Sequence, residues 1–270
     1  MNGIGIQRKA SNRQELKTPG TIGTLKFWYD MGDARTMYSD DGSTALTDGQ
    51  DCYRIDDKSG NGLHLKNSAS AQRPTWDAGD GFLDFDGYGD HMSTNDGDNS
   101  GDAQSDRGSA FSTCAMTIFF VIKPDDFDGN DNTEITTDGS DDYLCGSQAN
   151  NHCLIRFDSK DRWSFKLCDT SSSADVLYID HDLNFLVADG TLIATCRVNS
   201  SGEGFVYKNT SAGAATDTVN NTAKIFHWGT LGSSGALGAT SSFDGKIFEV
   251  IGYEEDIDPF GTQAGKVYEN

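Results

Sequence analysis

Three chemistries are open to the side chains of this sequence: ligation of a hard cation, recognition of sugar hydroxyls, and carboxylate-driven hydrolysis. The raw material is carboxylate oxygen, since 35 aspartates stand against 7 glutamates. Asp supplies short-armed ligands to calcium, which takes six to eight oxygens, but Asp also favours solvated turns. Asp86 and Asp90 flank one Gly-rich turn, and Asp126 and Asp128 fall in the run Asp125-Asp126-Phe127-Asp128-Gly129-Asn130-Asp131. These four are the candidate calcium ligands. Asp96-x-Asp98-x-Ser100-Gly101 opens like an EF-hand loop, but Arg107 stands where the closing Glu belongs.

Sugar binding calls for an exposed ring beside amide and carboxylate groups. Trp76, Tyr88, His227 and Trp228 are the candidates by their nearness to turn signals, with a core role as the competing reading of each. Hydrolysis of a glycoside needs two carboxylates facing one cleft. Among the glutamates only Glu249 lies in a strong strand pattern, and its i+2 neighbour is Ile251. The five histidines show no metal spacing, and neither a nucleophile elbow nor a phosphate-cradling glycine loop is present. The expectation is a protein that is not an enzyme and has no certain cofactor, calcium being the candidate.

The elements that must position these groups read as strands. Leu25 to Tyr29 opens the pattern; Leu83 and Phe85 alternate with Asp84 and Asp86; Met116 to Ile122 is continuously apolar up to Pro124. Alternation of this kind marks a half-buried strand, and a continuous apolar run marks one covered on both faces. Trp163 to Leu167, Leu192 to Val198, Gly204 to Lys208 and Phe243 to Tyr253 add further strands. With 31 glycines for turns and no convincing helix, the chain is expected to be an all-β sandwich or jelly roll in one domain. Cys196 alternates with Leu192, Ala194 and Val198 as a buried thiol would, whereas Cys145 and Cys153 are spaced to pair across a hairpin.

Several motifs occur in order along residues 25–255. Phe27-Trp28-Tyr29-Asp30 is followed by Asp57-Lys58-Ser59-Gly60-Asn61-Gly62-Leu63-His64-Leu65, then Arg73-Pro74-Thr75. Leu83-Asp84-Phe85-Asp86-Gly87 and Phe243-Asp244-Gly245-Lys246-Ile247-Phe248-Glu249-Val250 complete the set. This series resembles the laminin-G-like (LamG), concanavalin A-like jelly-roll domains, including those of phage virion structural proteins. The resemblance implies a β-sandwich of two antiparallel sheets. It does not fix a function, because lectins, adhesins, glycosidases and virion components share this fold.

Residues 1–24 differ from the rest. Arg8, Lys9, Arg13 and Lys17 stand against Glu15 alone, in a chain whose formal charge is −21. The segment reads as an extended basic N-terminal arm that docks on an acidic surface, leaving 25–270 as the jelly-roll domain. Such acidity argues against a nucleic-acid partner. No apolar leader is visible in the first 26 residues, and no run of about 18 apolar residues exists to span a membrane. The leading expectation is a non-catalytic virion protein: a capsid decoration, head fibre or tail appendage. It would be made in the host cytoplasm, held by the arm to other capsid or tail proteins, homo-oligomeric, and in contact with host glycans. The alternative is a stand-alone carbohydrate-binding lectin or adhesin module, and a polysaccharide-active hydrolase comes third.

Overall fold

The computed structural model describes residues 18–94, 111–125, 142–146, 153–157, 162–167, 177–184, 190–209, 211–212, 217–218, 228–233 and 242–257. The described residues form two antiparallel sheets packed face to face. The first contains β1 (Leu25–Asp30), β5 (Thr75–Asp77), β6 (Phe82–Asp86), β8 (Met116–Pro124), β13 (Leu192–Val198), β14 (Glu203–Lys208), β15 (Ser211–Ala212), β16 (Asp217–Thr218) and β18 (Asp244–Tyr253). The second contains β2 (Met37–Tyr38), β3 (Arg54–Ile55), β4 (Leu65–Lys66), β7 (Met92–Ser93), β9 (Asp142–Gly146), β10 (Cys153–Phe157), β11 (Arg162–Leu167), β12 (Leu177–Asn184) and β17 (Thr230–Leu231). This is the expected all-β sandwich. Among the described residues no helix is long and apolar enough to cross a membrane.

Strand β18 organises the first sheet. One of its edges pairs with β8 along nearly its whole length; the other pairs with β6 at Asp244–Ile247 and with β1 at Glu249–Tyr253. A bulge between Ile247 and Glu249 shifts the register, so the inward face changes from Gly245 and Ile247 to Val250 and Gly252. Phe27, Phe85 and Phe120 of the first sheet meet Ile55, Leu144, Phe157 and Trp163 of the second, all fully buried. Gly252 is required at its place because a Cβ there would collide with the Phe27 ring.

The apolar run of β8 is covered on both faces. Met116, Ile118, Phe120 and Ile122 face the main core. Phe119 points the other way, into a smaller cluster with Ile251, Tyr253 and Ile257, packed by Ile22 and Leu25. Cys52, Cys114 and Cys196 are buried thiols; burial pushes Cys52 up to about 12 and Cys196 higher still. The β9–β10 register sets Cys145 opposite Ile155 rather than opposite Cys153.

The Asp57-to-Leu63 motif proves to be architecture. Asp57 is buried, its Oδ1 accepting from the Trp28 and Ser59 N–H groups and its Oδ2 from Ser59 Oγ and the Leu63 N–H. Asn61 Nδ2 donates to the carbonyls of Leu25 and Lys26, so the turn is tied to β1 from both ends. Gly60 and Gly62 take φ of 87° and 76°, a region that only Gly occupies at little cost.

Candidate functional site

The site is built at the end of β6, where the chain turns through Asp86-Gly87-Tyr88-Gly89-Asp90-His91. Asp86 Oδ1 accepts from the Tyr88 N–H at 2.8 Å, closing an Asx-type turn. Gly87 and Gly89 sit at φ of 71° and 101°, and the Gly89 N–H donates to Ser242 Oγ. Between these two glycines Tyr88 is pushed outward. It is 70% exposed, and among the described residues it is the one large hydrophobic side chain presented to solvent.

The loop is pinned from beneath. Asn67 Nδ2 donates to the carbonyls of Gln72 and His91, and the His91 N–H donates to the Gln72 carbonyl. His91 Nδ1 lies 2.9 Å from the Gly89 carbonyl, which can only accept, so Nδ1 carries the proton of a neutral ring. Burial keeps that imidazole below its ordinary pKa. Arg73 Nε and Nη2 donate to the carbonyls of Asn67 and Ser68, and the guanidinium lies 4.8 Å over the Tyr53 ring. The Arg-Pro-Thr motif is thus explained by a buttress under the loop.

Beside the loop opens a cleft of about 450 Å³, walled by Asp51, Asp84, Asp86, Asp90, Asp125 and Asp244, with Arg73, Ser70 and Thr75 contributing donors. The sheet dictates this concentration. Asp84 and Asp86 are two residues apart on β6 and so share its outer face. Across the ladder to β18, Asp86 is opposite Asp244 and Asp84 opposite Lys246. Two like charges directly opposite are unfavourable. Part of the repulsion is relieved at the rim, where Lys246 pairs with Asp84 and Asp125, and Lys123 with Asp125. Thr75 Oγ1 donates to Asp51 at 3.3 Å.

Asp90 carries the largest consequence. The residue is only 6% exposed, and its Oδ2 accepts from the Asp86 N–H at 3.2 Å. Burial is the main cause that pushes its carboxyl up to about 7, with the charges of Asp86, Asp51 and Asp84 adding to it and the Asp86 hydrogen bond opposing. Among the described residues neither Asp86 nor Asp90 has an ion-pair partner.

The structure sorts the residues singled out from sequence. Tyr88, Asp86 and Asp90 come together in one loop, as their spacing required. Trp76 and Trp228 do not belong to a sugar platform. Trp76 is 3% exposed, its Nε1 donating to the Met31 carbonyl; Trp228 is 1% exposed and stacked on Phe27 at 4.3 Å. Large rings near turn signals were drawn into the core because the sandwich interior needed their area. His227, Asp126, Asp128 and the arm residues Arg8, Lys9, Arg13 and Lys17 lie outside the described residues. Among the described residues no group of three or more His, Cys, Asp or Glu side chains is arranged to hold a metal ion, so Asp86 and Asp90 are not joined by a third such ligand. Asp51, Asp84, Asp125 and Asp244 were not singled out. The alternation Asp84-Phe85-Asp86 was the available signal for one of them, and the pairing of β18 with β6 brings in Asp244. Glu249 lies apart from the cleft lining, accepting from Trp28 Nε1 at 2.7 Å.

Neither a known protein family nor any curated protein matches the sequence. Among solved structures, Trypanosoma rangeli sialidase superposes with a TM-score of 0.52 at 11% identity, over 90% of this chain and 32% of that one. The chain therefore spans about a third of the length of the sialidase chains it matches. Domain 4 of AbnA, a GH43 extracellular arabinanase from Geobacillus stearothermophilus, gives a TM-score of 0.46 at 14% identity, covering 87% of this chain and 95% of that one. The CBM40 of Ruminococcus gnavus IT-sialidase gives 0.46 at 11%, covering 68% and 96%. The sialidase superposition agrees with the β-sandwich fold and speaks to fold alone.

Proposed function

We propose that this chain is a carbohydrate-binding module whose sugar site is the acidic cleft beside Tyr88, and that it binds without hydrolysis. The observation that carries this reading is the juxtaposition of an exposed aromatic ring with a cleft of about 450 Å³ rich in carboxylate acceptors. Carboxylates accept from sugar hydroxyls, Thr75 and Ser70 supply hydroxyls, and an exposed tyrosine offers a flat apolar face to the C–H side of a pyranose. The size lies within the range of small-ligand pockets. Sialidase, a fold neighbour, has been captured with sialic acid; since fold does not transfer function, the weight rests on the cleft. The wider reading, in which residues 1–24 anchor such a module to a virion, rests on the sequence of that arm.

A glycan array with the full chain, repeated with Tyr88→Ala, tests the proposal. The expected result is binding to a defined glycan class that the variant loses by about tenfold or more, with unchanged melting and no release of reducing ends. No binding by the parent chain, or binding indifferent to Tyr88→Ala, overturns it.

A further inference from the structure

We infer that Asn61 and Gly62 form a site of self-modification, at which Asn61 turns into aspartate and isoaspartate through a cyclic imide and so unties β1 from the turn that holds it. This stands independently of the glycan reading. Asn61 is the one asparagine among the described residues that is followed by glycine. Closing a five-membered imide requires the backbone nitrogen of the next residue to reach the side-chain carbon Cγ, and a glycine puts no Cβ in its way. Both residues are exposed, and a Cβ placed on Gly62 would meet nothing within 4 Å. Among the described residues nothing accepts from the Gly62 N–H, so the nucleophile is open to solvent base.

The steps balance with water alone and need no oxidant or reductant. Base takes the Gly62 amide proton, the nitrogen bonds to Asn61 Cγ, and the Cγ–Nδ2 bond breaks to release ammonia. Water then opens the ring at Cγ to leave aspartate, or at the Asn61 backbone carbonyl carbon to leave isoaspartate, in which the chain runs through the former side chain. The fold sets both the pace and the consequence. Asn61 Nδ2 donates to the carbonyls of Leu25 at 2.8 Å and Lys26 at 2.9 Å, so the leaving nitrogen is held until that end of β1 opens. The register of β1 on β18 is irregular between Leu25 and Phe27, which makes this the weakly laddered end of the strand. After conversion an ionised carboxylate, which only accepts, faces two carbonyls that need a donor. Isoaspartate also lengthens the main chain by one carbon just before Gly62 and Leu63, and the Leu63 N–H is held by the buried Asp57.

Incubation of the full chain at pH 8.5 and 37 °C, folded and in urea, tests this by peptide mass spectrometry with electron-transfer fragmentation. In the folded chain the Asn61 peptide is expected to gain about 1 Da, about tenfold to a hundredfold more slowly than in urea and ahead of the peptides of Asn67, Asn199 and Asn209. No gain at Asn61 in the folded chain while the urea sample converts overturns the inference, as does faster conversion at another described asparagine. Asn61→Asp installs one product directly and tests the untying. It is expected to melt about 4 °C or more below the parent, the effect of two lost hydrogen bonds. Melting unchanged from the parent would show that conversion leaves β1 tied, and would overturn the inference as well.

Discussion

Replacing Asp90 by Asn should stabilise this protein in alkaline solution and do little in acid. In the folded chain the Asp90 carboxyl is held up at about 7, against an ordinary 3.8, by burial and by neighbouring carboxylates. The folded state therefore holds the proton more tightly than the unfolded state. The contribution of Asp90 to stability is therefore fully present below about pH 4, falls as pH rises towards 7, and is lost above it. The difference between 3.8 and about 7 corresponds to about 4 kcal/mol at 1.36 kcal/mol per tenfold. Water entering the open cleft screens part of this, leaving about 2 kcal/mol. Asn keeps an oxygen for the Asp86 N–H and carries no charge. For a domain of this size about 2 kcal/mol is about 4–8 °C in melting temperature. Thermal melts of parent and variant at pH 5 and pH 9 measure it, the expected gain at pH 9 being about two and a half times that at pH 5, because the loss begins at 3.8 and is complete above 7. An equal shift at both pH values, or a loss at pH 9, would refute the argument that ionised Asp90 is a strained charge.

Two further perturbations test the frame that holds the site. Asp57→Ala removes the acceptor for four donors at the start of β1 and the following turn, the Trp28, Ser59 and Leu63 N–H groups and the Ser59 hydroxyl, and should cost about 3 kcal/mol in urea unfolding. A cost below about 1 kcal/mol would mean that the turn is held by something else. Gly252→Ala drives a methyl group into the Phe27 ring and should cost about 1–3 kcal/mol, whereas Gly20→Ala, with open space around it, should be neutral. Equal effects at the two glycines would contradict the packing described.

The strands were legible in the sequence because their signal is local. Alternation at Leu83-Asp84-Phe85-Asp86 and the unbroken run from Met116 to Ile122 need only the period of a strand and the preference of apolar atoms for the interior. The same locality made the Gly87–Gly89 turn and the nearness of Tyr88, Asp86 and Asp90 visible, since all lie within five residues. The Asp57-to-Leu63 motif was likewise recognisable as a turn, although its attachment to β1 through Trp28 and Asn61 was not.

What only the tertiary structure decided is which side chains meet. Trp76 and Trp228 have the composition of a sugar platform and the placement of core residues, because burial is settled by the opposing sheet and not by flanking turns. Asp244 reaches Asp86 across a chain separation of well over a hundred residues, and it does so only because β18 lies against β6 in one register. A slip of one position would send every side chain of that segment to the opposite face. The sequence thus determined the sandwich, its acidity and the turn at its lip. The pairing of distant strands turned scattered aspartates into a single cleft, since charge density at a point is set by distances in space.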